Sequence, residues 1–326
     1  MNDARRTDPV WSVILSGGEG ERLRPFVQRW LGRPKPKQYC SFVGTRSMFQ
    51  HTIARANLIS EPERTVTVIS RHHLSEAILQ LDDRNHRNVI LQPLNRDTAA
   101  GVFLALSHVS VYDPSATVVI FPSDHFVFPE YRLLEAVRSA VRASNLFPEK
   151  VLLLGISPDH PEVDYGWIRR RNQLGWADEF RLDAVESFLE KPSLEVCKTA
   201  MKCGDLWNSM ILISRVENLW KLGRQVFPDI ISLFEIYQES IGSDHENVVL
   251  DCIYQFMPSR NFSADCLQRF PGELAVIELY DILWSDWGRQ ERIVETLRRI
   301  GRIPSFGVLG LNSPERTFRQ MKFSNG

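Results

Sequence analysis

The chain has 326 residues, 43% of them hydrophobic, which suffices for one large or two ordinary domains with a sizeable core. Its 39 basic and 40 acidic residues leave a formal net charge of −1, and this excludes a global field drawing it to nucleic acid or an anionic membrane. The five cysteines (Cys40, Cys197, Cys203, Cys252, Cys266) show no Cys-x-x-Cys spacing and are odd in number, so they read as reduced thiols of a cytoplasmic protein, not as a disulfide framework or a zinc site.

In chain order, the first nine residues are polar, and the apolar stretch after them is too short for a signal peptide or a membrane span. Apolar, β-branched runs at Trp11–Ser16, Thr65–Ser70, Val89–Gln92, Ala116–Phe121 and Val151–Ile156 predict strands. Between them, Ser47–Leu58, His73–Leu81, Thr98–Tyr112 and Tyr131–Ala143 predict helices, the last with Leu133, Leu134, Val137 and Val141 on one face. This alternation predicts an α/β fold, a Rossmann-like, mostly parallel sheet flanked by helices. After Ile156 the pattern turns to shorter, aromatic strands at Tyr165–Arg171, Asp183–Leu189 and Trp207–Ser214, read as a substrate-binding second half.

The first strand runs into Ser16-Gly-Gly-Glu-Gly-Glu-Arg-Leu-Arg-Pro25, a glycine-rich turn with basic side chains just beyond it. Gly17, Gly18 and Gly20 can take positive φ and let backbone N–H groups approach an anion, and Arg22 offers a fork of donors to phosphate. Leu23 stands where a dinucleotide fingerprint needs glycine, and Arg22-Leu23-Arg24 stands where a Walker A loop needs Gly-Lys-Ser/Thr. Further on, Pro34-Lys-Pro-Lys-Gln38 sets Lys35 and Lys37 on a rigid segment, and Asp124 ends the most apolar strand, where a carboxylate can hold a hard cation such as Mg²⁺. A second acid, Asp286, arrives late in Trp284-Ser-Asp-Trp-Gly288. Each feature alone also has an ordinary reading: a turn, solvated lysines, a loop-capping aspartate. Together they suggest metal-assisted transfer on a nucleoside triphosphate. No Gly-x-Ser-x-Gly elbow is present, and His72, His73 and His125 have no evident serine or cysteine partner.

With Pro36-Lys-Gln38, Gln92-Pro-Leu-Asn-Arg-Asp-Thr-Ala99, Phe121-Pro-Ser-Asp-His125, Tyr165-Gly-Trp-Ile168, Phe188-Leu-Glu-Lys-Pro192 and Trp207-Asn-Ser209 added, in that order, the chain resembles the sugar-1-phosphate nucleotidyltransferases, and among them the mannose-1-phosphate guanylyltransferases. The resemblance implies a GT-A-like nucleotidyltransferase architecture, a Mg²⁺ cofactor, and the reaction of a nucleoside triphosphate, GTP favoured, with a sugar 1-phosphate, giving a nucleotide sugar such as GDP-mannose and pyrophosphate. It implies that Arg22 and Lys37 bind the triphosphate, and that Asp124 and Asp286 hold the metal. By the same resemblance Ser16, Gly17, Gly18, Gly20, Gln92, Asp97 and Thr98 bind the nucleotide, and Gly166, Glu190, Lys191 and Asn208 bind the sugar phosphate.

Three departures stand out: Asp97 where the family usually has asparagine, Met210 where it usually has glycine, and Trp287 with Arg289-Gln290 around the second aspartate. They motivate an alternative, a non-catalytic nucleotide-sugar-binding paralogue that regulates a partner. Residues 9–300 read as one catalytic domain and 301–326 as a polar tail; no β-rich domain follows, so no second isomerase activity is expected. The sequence leaves the oligomeric state open, a homo-oligomer included.

Overall fold

The structure, a computed structural model, describes residues 8–81 and 88–307. Its strands are β1 (Val10–Ser16), β2 (Thr65–Ser70), β3 (Val89–Gln92), β4 (Thr117–Pro122), β5 (Phe126–Phe128), β6 (Val151–Ile156), β7 (Gly166–Ala177), β8 (Phe180–Glu190), β9 (Leu206–Arg215), β10 (Leu274–Leu279) and β11 (Leu283–Ser285). Nine of them build one sheet in the order β3-β2-β1-β4-β9-β6-β10-β8-β7, while β5 and β11 pair separately as a short ribbon. Pairing is parallel among β1 to β4 and between β6 and β10. It is antiparallel wherever β9, β8 or β7 joins.

Side chains on a strand alternate between faces, and the core divides accordingly. Val13, Val118, Ile120 and Leu153 join one apolar cluster with the helix Asp97–Tyr112 and the helices Val216–Val226, Pro228–Ser240 and Glu246–Phe256. Ile14, Val119, Phe121, Leu152 and Leu154 join the other, against Met48–Ala56, Glu130–Ser144 and Leu194–Lys202. Burial on both faces explains why these strands read as continuous apolar runs. A third, aromatic cluster joins Phe42 and Trp287 to Phe306, so part of the predicted tail packs on the domain, and Ser305 N–H donates to the Phe42 carbonyl (2.8 Å). Residues 308–326 of that tail lie outside the described residues.

The predicted strands lie within a residue or two of the observed ones, except in the hairpin. There β7 extends to Ala177 and β8 begins at Phe180: β7 runs on through the exposed polar Arg171-Asn-Gln173 and is held by backbone pairing, while Phe180 and Leu182 at the start of β8 are buried in a stretch too short to read alone. The predicted helix from His73 is a 3₁₀ turn, Arg71–His73, running into the short helix Leu74–Ile78. Among the described residues no helix is long and apolar enough to cross a membrane.

Candidate active site

Asp124 and Asp286 lie far apart in the sequence, and the ribbon brings them together. It is antiparallel with Ser285 opposite Phe126, so the residues just before β5 and just after β11 meet at one end. Lys37 fills the space there. Its ammonium lies 2.7 Å from Asp124 Oδ2 and donates to the Asp286 carbonyl, with only 5% of the residue exposed. Lys37 is delivered by a 3₁₀ turn, Lys37–Tyr39, after the extended Pro36. Lys35 points elsewhere, to Glu76 at 3.2 Å.

Arg22 comes from the glycine turn. Its guanidinium donates to Asp286 Oδ2 (2.8 Å) and approaches Asp164 (3.4 Å). Gly288 is required where it stands, since a Cβ there would lie 2.7 Å from Asp286 Oδ2 and 2.8 Å from Arg22 Cζ. Within the glycine turn only Gly20 takes positive φ (61°); it starts the 3₁₀ turn Glu21–Leu23, and a Cβ on it would press Lys37 at 3.1 Å. Gly17 serves close approach instead, because a Cβ would meet Gln92 Oε1 at 3.1 Å.

The electrostatics follow from these contacts. Burial pushes the Asp286 carboxyl up, but Lys37, Arg292 and Arg22 outweigh it and hold the group far below the ordinary carboxylate range. Desolvation likewise opposes ionisation of Asp124, and the Lys37 ammonium, with His125, turns the balance downward. Burial lowers His125, with Asp124 opposing, and its Nδ1 lies 3.1 Å from the Ser209 carbonyl.

Beside the acids opens a cavity of about 320 Å³ lined by Gly17, Gly18, Gln92, Asp97, Thr98 and Asp124, among others. Two of the predicted nucleotide residues are not on its lining. The Ser16 hydroxyl donates to the Tyr39 hydroxyl inside the core (3.1 Å), and Gly20 backs Lys37. Thr98 uses its hydroxyl to accept from Phe262 N–H (2.8 Å), and Asp97 Oδ1 accepts from Thr98 N–H (2.6 Å) and Asn261 (3.2 Å). These bonds give both side chains a bracing role in the cavity wall.

The predicted sugar residues also gather. Gly166 pairs with Glu190 across β7 and β8, and the Lys191 ammonium lies 3.5 Å from Glu190. Burial raises the Glu190 carboxyl, with Lys191 opposing and Asp97 adding to the rise. Asn208 is buried, and its amide is engaged by Met210: Oδ1 accepts from the Met210 N–H (3.1 Å), and Nδ2 lies 3.1 Å from the Met210 Sδ.

Four non-glycine residues at this site take positive φ: Asp97 (62°), Lys191 (46°), Met210 (59°) and Trp287 (44°). The strained positions include all three departures noted in the sequence, and each costs about 1–2 kcal/mol that the surrounding packing must supply. For Trp287 that packing is a stack on Phe126 with centroids 4.5 Å apart.

Sequence reasoning missed Asp164, the Tyr165 hydroxyl and Arg292. The hydroxyl donates to Asp286 Oδ1 (3.2 Å), and Arg292 reaches the same oxygen at 2.7 Å. Arg292 falls in an amphipathic helix, Gln290–Arg299, where a charged residue reads as surface; only its place six residues after Asp286 hinted otherwise.

Residues 11–301 match the family model described as nucleotidyl transferase. The chain is 28% identical over 291 residues to a mannose-1-phosphate guanylyltransferase of Escherichia coli, covering 86% of this chain and 60% of that protein. It is 31% identical over 288 residues to the mannose-1-phosphate guanylyltransferase RfbM of Salmonella typhimurium, covering 85% of this chain and 56% of the relative. It thus spans about 60% or less of the length of these relatives. In fold it is similar to a crystal structure described as mannose-1-phosphate geranyltransferase from Thermus thermophilus, with TM-score 0.74 and 23% identity over 87% of this chain and 79% of that one. With the glycine turn, the cavity and the joined aspartates in place, the chain belongs to the nucleotidyl transferase family.

Proposed function

We propose that the protein transfers a nucleoside monophosphate, GMP from GTP, to a sugar 1-phosphate, mannose 1-phosphate by the reading favoured here, giving GDP-mannose and pyrophosphate in the cytoplasm. The observation that carries this reading is the bridge from Lys37 to the Asp124 carboxylate and the Asp286 main-chain carbonyl, with Asp124 itself on the cavity lining. The names of the relatives support the choice of base and sugar.

A sugar phosphate oxygen is already anionic, so the reaction needs no general base. That oxygen attacks the α-phosphorus, the bond from the α-phosphorus to the bridging oxygen breaks, and pyrophosphate leaves with the electron pair. The barrier lies in bringing anions together and orienting them. Arg22 and Lys37 supply positive charge along the triphosphate and its departing portion. Glu190, with its raised carboxyl, accepts from sugar hydroxyls, and Lys191 takes the sugar phosphate. No described cluster of three or more His, Cys, Asp or Glu side chains is arranged to hold a metal. The Lys37 ammonium is already seated by hard oxygens, the Asp124 carboxylate and the Asp286 main-chain carbonyl, so the donor chemistry fits Mg²⁺, which the Asp124 and Asp286 carboxylates would hold. When bound, Mg²⁺ would supply neutralisation of the reacting phosphates.

A second reading keeps the chemistry and changes the sugar, because Met210 crowds Asn208. The experiment is pyrophosphate release with Mg²⁺, crossing GTP, ATP, UTP, CTP and dTTP against mannose, glucose, fucose and heptose 1-phosphates. Release confined to GTP with mannose 1-phosphate is the expected result. Another productive pair would replace the substrate, and silence with nucleotide sugars still binding would favour a regulatory paralogue.

A further inference from the structure

The two oxygens of Asp286 are held in different ways. Oδ1 accepts three hydrogen bonds, from Gly288 N–H (2.9 Å), Arg292 Nη1 (2.7 Å) and the Tyr165 hydroxyl (3.2 Å). Among the described residues Oδ2 has one partner, Arg22, whose side chain is 51% exposed. Arg292 is the opposite case: its side chain is 12% exposed, and Nη2 is tied to Glu162 (2.6 Å) and Asp164 (2.8 Å). The guanidinium also lies over the Tyr165 ring, 4.9 Å from its centroid. Glu162 and Asp164 precede β7, so Arg292 locks the loop carrying Asp286 to the segment that leads into the sugar half. The planar fork is what allows one side chain to serve both ends, and a lysine cannot reproduce that geometry.

We propose that Arg292 is a positioning residue: it commits Oδ1 of Asp286 and orients the carboxylate so that Oδ2, bonded to the exposed Arg22, is presented to the metal and the reacting phosphates. This rests on the functional reading above. Residues that orient a metal ligand change metal affinity or activity by about 10- to 100-fold when removed. A residue that merely fastened the helix Gln290–Arg299 would alter thermal stability and leave those quantities together unchanged in the folded protein.

The test measures Mn²⁺ affinity of the protein–GTP complex by water-proton relaxation, GTP affinity without metal, and kcat and KM, in wild type, Arg292→Ala and Arg292→Lys. For Arg292→Ala we expect Mn²⁺ affinity and kcat to fall about 10- to 100-fold, with metal-free GTP affinity and KM within about twofold. Arg292→Lys should recover part of the loss by keeping the charge. If Arg292→Ala does not fold, Arg292→Lys decides, with a loss of about tenfold expected in both quantities. Unchanged Mn²⁺ affinity and kcat in a folded variant would overturn the proposal, as would an equal loss of metal-free GTP binding. Failure of the functional reading looks different, since wild type itself would then bind neither GTP nor Mn²⁺ with GTP, and the positioning role would fall with it.

Discussion

Asp124→Asn is expected to lower kcat by about three orders of magnitude, since a metal clamp on phosphate supplies several kcal/mol and each 1.36 kcal/mol is tenfold. GTP affinity without metal should stay within a few-fold. The substitution keeps the shape of the side chain and removes only its charge, and Asp124 is partly open to the cleft, so the fold survives. The pH dependence has a definite sign. Because the folded carboxyl is depressed, its contribution to stability is present above the unfolded pKa of about 3.9 and is lost as pH falls below that. Steady-state pyrophosphate release together with urea melts between pH 3 and 7 checks both halves. A variant retaining more than a tenth of wild-type turnover would remove Asp124 from the proposed chemistry.

Lys37→Met is the second large effect. The ammonium is buried between the Asp124 carboxylate and the Asp286 main-chain carbonyl, so its loss leaves Asp124 without its lysine partner while Asp286 keeps Arg22 and Arg292. Breaking a buried pair from one side costs about 3–5 kcal/mol, and the low end applies here because Asp124 reaches solvent. Turnover should fall by about 10²–10³, the scale seen when one preorganised donor to a developing anion is removed. Lys37→Arg should not rescue it, since the slot is closed on one side by Gly20, where even a Cβ would press Lys37 at 3.1 Å. Thermal melts and pyrophosphate release on the two variants give the answer, and full activity in Lys37→Arg would show that only charge is required there.

The parallel half of the fold was legible because β1, β2, β4 and β6 are largely buried on both faces and leave short runs rich in apolar and β-branched residues. The ribbon was not, since β5 and β11 are three residues each, too short for any periodicity. Yet that ribbon decides the site: it converts two distant aspartates into neighbours. The motifs named both acids, and tertiary pairing alone shows how they meet around Lys37. Arg292 was hidden for a different reason. Its guanidinium is used edge-on by Asp286, Glu162 and Asp164 at once, a tertiary arrangement that its helical position does not encode. Positive φ at Asp97, Met210 and Trp287 was likewise invisible, although unusual residue types at those places were evident.

In the proposed reaction one displacement joins the sugar phosphate to the nucleotide directly, with no nucleophile from the chain. Exchange of labelled pyrophosphate into GTP tests this, measured with Mg²⁺ and with or without mannose 1-phosphate. Label should enter GTP only when the sugar phosphate is present. Exchange with GTP and Mg²⁺ alone would reveal a covalent nucleotidyl-enzyme and contradict the account, and no exchange under either condition would contradict nucleotidyl transfer itself.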